Sequence, residues 1–176
     1  MDESQRKFSC SDHTQHRLVQ QRTLKKSVEC TGIALHSGET VSIFMQPAPV
    51  NSGIIFRRKQ ESGDFVEIPA LWSNVVDTRL CSVIGAKNGY TVSTVEHIMA
   101  ALAGCGIDNV LIDVSGSEIP IMDGSSEPFV TSIECAGVLE QSSPRKIIRV
   151  LKSISVSEGD SKAMLRPSNR FTVNME

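Results

Sequence analysis

Ser93-Thr94-Val95-Glu96-His97-Ile98-Met99-Ala100-Ala101-Leu102-Ala103-Gly104 is the stretch that says most about this chain. Within it, Val95, Ile98, Met99 and Leu102 recur at the spacing of one helical face. That spacing predicts a helix over residues 94–104 that packs its apolar face on a core.

The start of this helix places a carboxylate, Glu96, beside an imidazole, His97. Such a pair is suited to a general base and a zinc ligand, although a catalytic zinc uses about three protein ligands. The alternative is a capping box, in which Ser93 and Glu96 satisfy N–H groups at the helix start. At about 100° per residue His97 lies opposite Val95, which favours an exposed histidine. Spacing alone favours this second interpretation.

Before this helix the pattern is typical of β-strands. Residues 40–46 alternate, with Val41, Ile43 and Met45 on one face, and residues 53–58 form another candidate strand. Asn88-Gly89, between apolar runs at 79–84 and 90–93, predicts a hairpin.

After the helix come a strand over residues 107–114 and a second helix. Ser125 or Ser126 can cap that helix, and Gly137 suits its end. Its apolar face consists of Phe129, Ile133 and Ala136. Residues 21–140 are therefore predicted to form an α+β unit, with helices packed on one face of a sheet.

The remaining residues, 141–176, are predicted to be a linker at Ser142-Ser143-Pro144 followed by strands at 147–150, 154–156, 163–165 and 171–175. The turn Glu158-Gly159-Asp160 before a strand resembles Ser37-Gly38-Glu39 earlier in the chain. This weak repeat indicates a second copy of the first unit. The copy stops before any helix, so we expect the chain to be truncated.

Composition narrows the classes of function. The 176 residues are 40% hydrophobic and 22% charged, as in a folded globular protein, and the net charge of −2 gives no case for nucleic acid as a partner. No apolar run approaches the roughly 20 residues of a membrane span. Five scattered cysteines without a C-x-x-C pair, and an N-terminus without a signal sequence, predict free thiols and a cytoplasmic location.

Residues 1–20 are polar and without periodicity, which predicts a disordered tail. His13 and His16 have a ligand-like spacing within it. With nothing ordered around them, we interpret both as solvated.

Several blocks in order resemble one family, the UDP-3-O-acyl-N-acetylglucosamine deacetylases, which are zinc hydrolases at the committed step of lipid A biosynthesis. The blocks are Gln21-Arg22-Thr23-Leu24, Thr31-Gly32-Ile33-Ala34-Leu35-His36-Ser37-Gly38, Gln46-Pro47-Ala48-Pro49, Gly53-Ile54-Ile55-Phe56-Arg57-Arg58, Asp77-Thr78-Arg79-Leu80-Cys81, Ser93-Thr94-Val95-Glu96-His97, Gly106-Ile107-Asp108-Asn109 and Ile119-Pro120-Ile121-Met122-Asp123-Gly124-Ser125.

The resemblance implies a two-layer sandwich of two similar α+β units with the active site between them. It implies that His97 is a Zn²⁺ ligand and that Glu96 is the general base. The substrate would be the UDP-sugar lipid precursor, whose acetamide is hydrolysed to an amine and acetate.

The family takes its other ligands, a His-x-x-x-Asp pair, and an acid histidine from the second unit. No histidine follows His97 here. The remaining zinc ligands are therefore expected from a missing C-terminal half, carried by a longer product or by a complementing separate chain. The competing hypothesis is a catalytically inactive remnant, or a partner-binding module of the same fold.

Four further residues match family positions around the pocket. His36 corresponds to a position near the active site that is not a ligand, with a purely structural turn histidine as the alternative. Leu80 and Cys81 correspond to residues that line the metal pocket, although Cys81 could equally be a buried strand thiol. Asp123 is either a turn residue bonded to its own backbone or a residue that supports the site.

Overall fold

The computed structural model describes residues 19–60 and 62–175. It divides into two compact units, Met1–Arg145 and Lys146–Glu176. The predicted tail, with His13 and His16, lies outside the described residues except for its last two, and Gln20 already belongs to the first strand.

Twelve strands and two helices make up the described part of the chain. The strands are β1 (Gln20–Leu24), β2 (Val28–Ile33), β3 (Thr40–Pro47), β4 (Ile54–Lys59), β5 (Phe65–Pro69), β6 (Val75–Asp77), β7 (Val83–Gly85), β8 (Thr91–Val92), β9 (Val110–Val114), β10 (Val138–Pro144), β11 (Ile154–Glu158) and β12 (Ser161–Leu165). The helices are α1 (Glu96–Cys105) and α2 (Glu127–Ala136), and a single 3₁₀ turn covers Trp72–Asn74.

The main sheet of the first unit has five strands in the order β2-β3-β9-β4-β5. Its pairs are antiparallel except β4 with β9, which run parallel. The alternation predicted for β3 is confirmed, since Val41, Ile43 and Met45 are all buried. Period-two alternation arises because successive side chains of a strand point to opposite faces of the sheet.

Both helices pack on the buried face of this sheet. Ile98 and Leu102 of α1 and Phe129 and Ile133 of α2 are fully buried and belong to the same core as the inward side chains of the sheet. The helix over 94–104, the second helix and its apolar face are confirmed, and α2 ends at Gly137, whose φ is +73°. The α+β prediction, with helices on one face of a sheet, is therefore confirmed.

The predicted linker at Ser142-Ser143-Pro144 is wrong, because these residues form the end of β10. β10 pairs antiparallel with β1, and the Arg145 N–H donates to the carbonyl of Val19 at 2.7 Å. Pro144 is tolerated there because it lies at the end of the strand, where its missing N–H costs no ladder bond. The first compact unit consequently extends to Arg145 rather than ending at 140.

The predicted hairpin around Asn88-Gly89 is confirmed by the pairing of β7 with β8. Of the apolar run at 79–84 that precedes this turn, however, only Val83 and Ile84 lie in β7. Asp77 accepts the backbone N–H and the guanidinium of Arg79, and this local turn takes the following residues out of the ladder.

In the second unit β11 and β12 form an antiparallel hairpin, and the turn predicted at Glu158-Gly159-Asp160 is confirmed. The predicted strands at 147–150 and 171–175 are wrong, since the described residues there are not in strands. Neither segment has a partner strand within its unit, and apolar residues without a partner do not make a ladder. None of the helices in the described ranges is long and apolar enough to cross a bilayer.

Candidate functional site

Glu96, the predicted general base, is the first residue of α1 and is half-buried. Its Oε2 accepts the backbone N–H of Ser82 at 3.0 Å. The N-cap residue is Val95, no side chain caps α1, and Ser93 instead bridges to the backbone of Glu118. The capping-box interpretation is therefore wrong, because the Glu96 carboxylate reaches across to another segment of the chain.

Next to this segment lies an open cavity of about 710 Å³, a size within the range of small-molecule sites. Four regions form its walls: the turn after β2, the segment from the end of β6 to the start of β7, the loop before α1, and the loop after β9. The lining residues are His36, Ser37, Asp77, Arg79, Leu80, Cys81, Val83, Ser93, Ser117 and Glu118.

Three of the residues predicted around the pocket share this cavity: His36, Leu80 and Cys81. Leu80 is 86% exposed, and Cys81 is half-buried in a bend before β7, so the buried-strand alternative for this thiol is wrong. Ser82, which holds the Glu96 carboxylate, lies directly after Cys81. Glu96 is thereby tied to the cavity wall.

The deepest polar group of the cavity is Glu118, which sequence reasoning missed and which is only 3% exposed. Its carboxylate accepts Nδ1 of His36 at 2.7 Å, the hydroxyl of Thr94 at 2.9 Å, and the backbone N–H groups of His36 and Ser37 at 3.2 to 3.3 Å. The only signal in the sequence was an acidic residue directly before the apolar run Ile119-Pro120-Ile121.

These bonds decide the charge state of Glu118. Burial raises the pKa of its carboxyl group, but the hydrogen bonds from the His36 ring, the Thr94 hydroxyl and the backbone N–H groups of His36 and Ser37 lower it by more. The pKa of Glu118 therefore lies below its usual value, since hydrogen bonds to a carboxylate favour its charged form. Glu118 is therefore a buried anion that is stabilised by hydrogen bonds from protein groups.

At the rim, Arg79 forms an ion pair with Asp77, with Nη2 2.6 Å from Oδ2. The hydrogen bonds from Arg79 hold the pKa of Asp77 well below its usual range, and the pairing raises the pKa of Arg79. Because Arg79 is largely exposed, the pair adds little to stability. The charge of Arg79 at the rim is thereby matched by the charge of Asp77.

His97 is the second residue of α1 and is half-buried. Asp123 is exposed and accepts both the N–H and the hydroxyl of Ser125 at 2.9 Å. Those bonds lower the pKa of Asp123, with a smaller contribution from the charge of His97. Asp123 thus makes the local turn bond that was one of its two alternatives, and it lies within electrostatic reach of His97.

The donor set for a metal is small. Among residues 19–60 and 62–175 there is no group of three or more His, Cys, Asp or Glu side chains placed to hold a metal ion. His97 offers one imidazole, whereas a catalytic zinc uses three protein ligands. The described residues therefore do not by themselves fit a complete zinc site.

Comparison with known proteins identifies the chain's relatives. The family described as UDP-3-O-acyl N-acetylglycosamine deacetylase matches residues 21–176. A protein of Pseudomonas entomophila named UDP-3-O-acyl-N-acetylglucosamine deacetylase is 46% identical over 90% of this chain and 52% of its own length. Proteins of the same name from Saccharophagus degradans and Stenotrophomonas maltophilia are both 47% identical, over 89% and 85% of this chain.

The chain spans about half the length of these relatives, 49% to 52%. The match runs through every block on which the resemblance was based, including Glu96-His97 and the cavity residues. The chain therefore belongs to the UDP-3-O-acyl-N-acetylglucosamine deacetylase family.

Proposed function

We propose that this chain contributes Glu96 as general base and His97 as one metal ligand to a zinc-dependent N-deacetylase. Its substrate is UDP-3-O-acyl-N-acetylglucosamine, the UDP-sugar precursor of lipid A. The observation that carries the proposal is the position of Glu96 and His97 on the first turn of α1, in a chain 46% identical to a relative named as this deacetylase.

In this reaction Glu96 first accepts a proton and then donates it. Water attacks the acetamide carbon while the carboxylate takes its proton, and the proton then goes to the nitrogen as the C–N bond breaks to give acetate and an amine. Ser82 N–H holds Oε2, and among the described residues Oε1 has no protein partner. One oxygen is thus oriented by the chain while the other is left to act on water.

Zinc is the cofactor that the family resemblance implies, and His97 is the ligand that this chain offers. The remaining ligands would come from a complementing C-terminal half. Residues 146–176 would be the beginning of that second unit. Four described cysteines, Cys30, Cys81, Cys105 and Cys135, are free, which supports a reducing, cytoplasmic location.

The zinc content of the 176-residue chain is the first prediction. We expect calorimetry to find no stoichiometric zinc, and His97→Ala to titrate like the parent, because one imidazole is far below the three ligands of a catalytic site. Tight, His97-dependent zinc at one equivalent would contradict this expectation. Ligands would then be sought in His36, Cys81 or a second copy of the chain.

The function itself is tested by complementation. The chain is co-expressed with the part of the Pseudomonas entomophila relative that it does not cover, and acetate release from UDP-3-O-acyl-N-acetylglucosamine is followed by mass spectrometry. We expect activity that falls by about 10²-fold or more in Glu96→Gln, the size of a general-base contribution. The relative's own two parts, expressed separately, are the positive control. Activity in that control but none with this chain would favour the inactive-remnant alternative.

A further inference from the structure

Glu118 joins three loops that are distant in sequence. The turn after β2 supplies His36 and Ser37, 82 and 81 residues away, and the turn before α1 supplies Thr94, 24 residues away. All of their bonds end on one carboxylate that is 3% exposed. A buried charge is tolerated only when its hydrogen-bonding capacity is met, and here four donor groups meet it.

One of these donors sits on a strained backbone. Thr94 has φ of +58°, in the left-handed region that a β-branched residue rarely adopts. Such a conformation costs of order 1–3 kcal/mol and persists only where the surroundings hold it. What holds Thr94 is its buried hydroxyl bond to Glu118, and two residues later Glu96 begins α1. The same carboxylate therefore stabilises the turn that starts the catalytic helix.

The other donor is the ring of His36, whose Nδ1 lies 2.7 Å from Oε1 of Glu118. An ionised carboxylate only accepts hydrogen bonds, so the proton of a neutral ring must be on Nδ1. Nε2 then carries a lone pair. Among the described residues Nε2 has no protein partner, and His36 lines the 710 Å³ cavity with its side chain 39% exposed.

We propose that Glu118 is a positioning residue. It locks His36 in the Nδ1–H tautomer, so that Nε2 offers the cavity a hydrogen-bond acceptor for a hydroxyl or amide N–H of a sugar nucleotide. It also holds the Thr94 turn from which Glu96 enters α1. The identity of the ligand rests on the proposed function, whereas the tautomer and the turn are properties of this chain alone.

The test is the tautomer of His36, read by long-range ¹H–¹⁵N correlation on the ¹⁵N-histidine-labelled chain near neutral pH. We expect the protonated nitrogen to be Nδ1 in the parent. In Glu118→Gln we expect the Nε2–H form to gain population, and in the conservative Glu118→Asp the Nδ1–H form to return in part. Glu39→Gln, an exposed residue of the same turn, is the matched control and should change nothing.

Two outcomes overturn the proposal. An Nε2–H tautomer of His36 in the parent chain contradicts it. This measurement needs no variant, so the proposal can be refuted even if Glu118→Gln fails to fold. An unchanged tautomer in folded Glu118→Gln also contradicts it. Neither result depends on zinc or on turnover, so the proposed function can fail while the tautomer is confirmed.

The acceptor role has its own readout. UDP-N-acetylglucosamine is titrated into the same labelled chain, and we expect the ¹⁵N shift of Nε2 of His36 to move in the parent and to move less in Glu118→Gln. A fixed Nε2 shift in the parent, with other cavity resonances moving, overturns the acceptor role. A purely structural Glu118 would alter stability but not this pattern.

Discussion

Two hairpins of this chain have the same antiparallel pairing and the same kind of turn, but their side chains differ in burial. β2–β3 and β11–β12 are both antiparallel, and each turn contains a glycine at positive φ, +71° at Gly38 and +56° at Gly159. Yet Ile43 of the first hairpin is fully buried, whereas Ile154 of the second is 54% exposed.

The difference lies in what covers the two hairpins. In the first unit α2 packs on β2, and the inward side chains of both strands join the helical core. In the second unit all the described residues of β11 and β12 are exposed. Alternation along a strand defines which face is apolar, but only a second layer turns that face into a core.

The largest expected difference between the two hairpins is the loss of stability when an isoleucine side chain is truncated. We expect Ile43→Ala to lower the free energy of unfolding of the first unit by about 2–5 kcal/mol, because a buried side chain is lost and a cavity remains. Ile154→Ala makes the same chemical change on an exposed side chain and should stay within about 0.5 kcal/mol. Urea denaturation of both variants measures the contrast. Equal losses would show that the second hairpin is covered in solution.

A charge removal should have the next largest effect. We expect Glu118→Gln to cost the first unit about 1–3 kcal/mol near pH 7, because donors that met a carboxylate are left imperfectly paired. Glu158→Gln, in the exposed hairpin, is the control and should leave the urea midpoint unchanged.

The pH dependence of the stability lost in Glu118→Gln follows from the direction in which the pKa of Glu118 is shifted. The pKa of Glu118 is lowered in the folded chain, so the stabilisation is fully present above the ordinary value of about 4.3 and is lost as pH falls through the folded value. The stability gap between parent and Glu118→Gln should therefore narrow below about pH 4. A gap that widens on acidification would show that Glu118 is protonated in the native chain.

Turn glycines should give the smallest effect. We expect Gly38→Ala to destabilise the first unit by about 1–2 kcal/mol, since an L-residue is strained at this φ. A Cβ would meet no atom within 4 Å at either glycine, so any cost comes from the backbone alone. Gly159→Ala should disturb only its own hairpin, detected as faster amide exchange in β11 and β12. A lower unfolding midpoint of the first unit in Gly159→Ala would contradict this separation.

Local patterns predicted a good part of this molecule. The faces of β3, α1 and α2, the end of α2 at Gly137 and the hairpin at Asn88-Gly89 were all read from spacing, because each depends on neighbours within a few residues. Ser142-Ser143-Pro144 was mistaken for a linker, because its pairing partner, β1, lies more than 100 residues earlier.

The candidate site shows the same contrast between features that depend on nearby residues and features that depend on distant ones. Glu96, His97, His36, Leu80 and Cys81 were singled out by sequence and resemblance, and His36, Leu80 and Cys81 do line one cavity. The capping role considered for Glu96 was wrong, because the competing donor, Ser82 N–H, belongs to a segment 14 residues earlier.

The sequence by itself determined the α+β class, the helix that carries Glu96 and His97, and the family, because periodicity and motif order are local properties of the chain. Only the tertiary structure decided that Glu118 is buried and ionised, with His36 and Thr94 bound to it. Its partners come from turns 82 and 24 residues away. A charge is stable in a core only where folding brings hydrogen-bond donors close to it. The spacing of residues along the chain does not predict which donors those are.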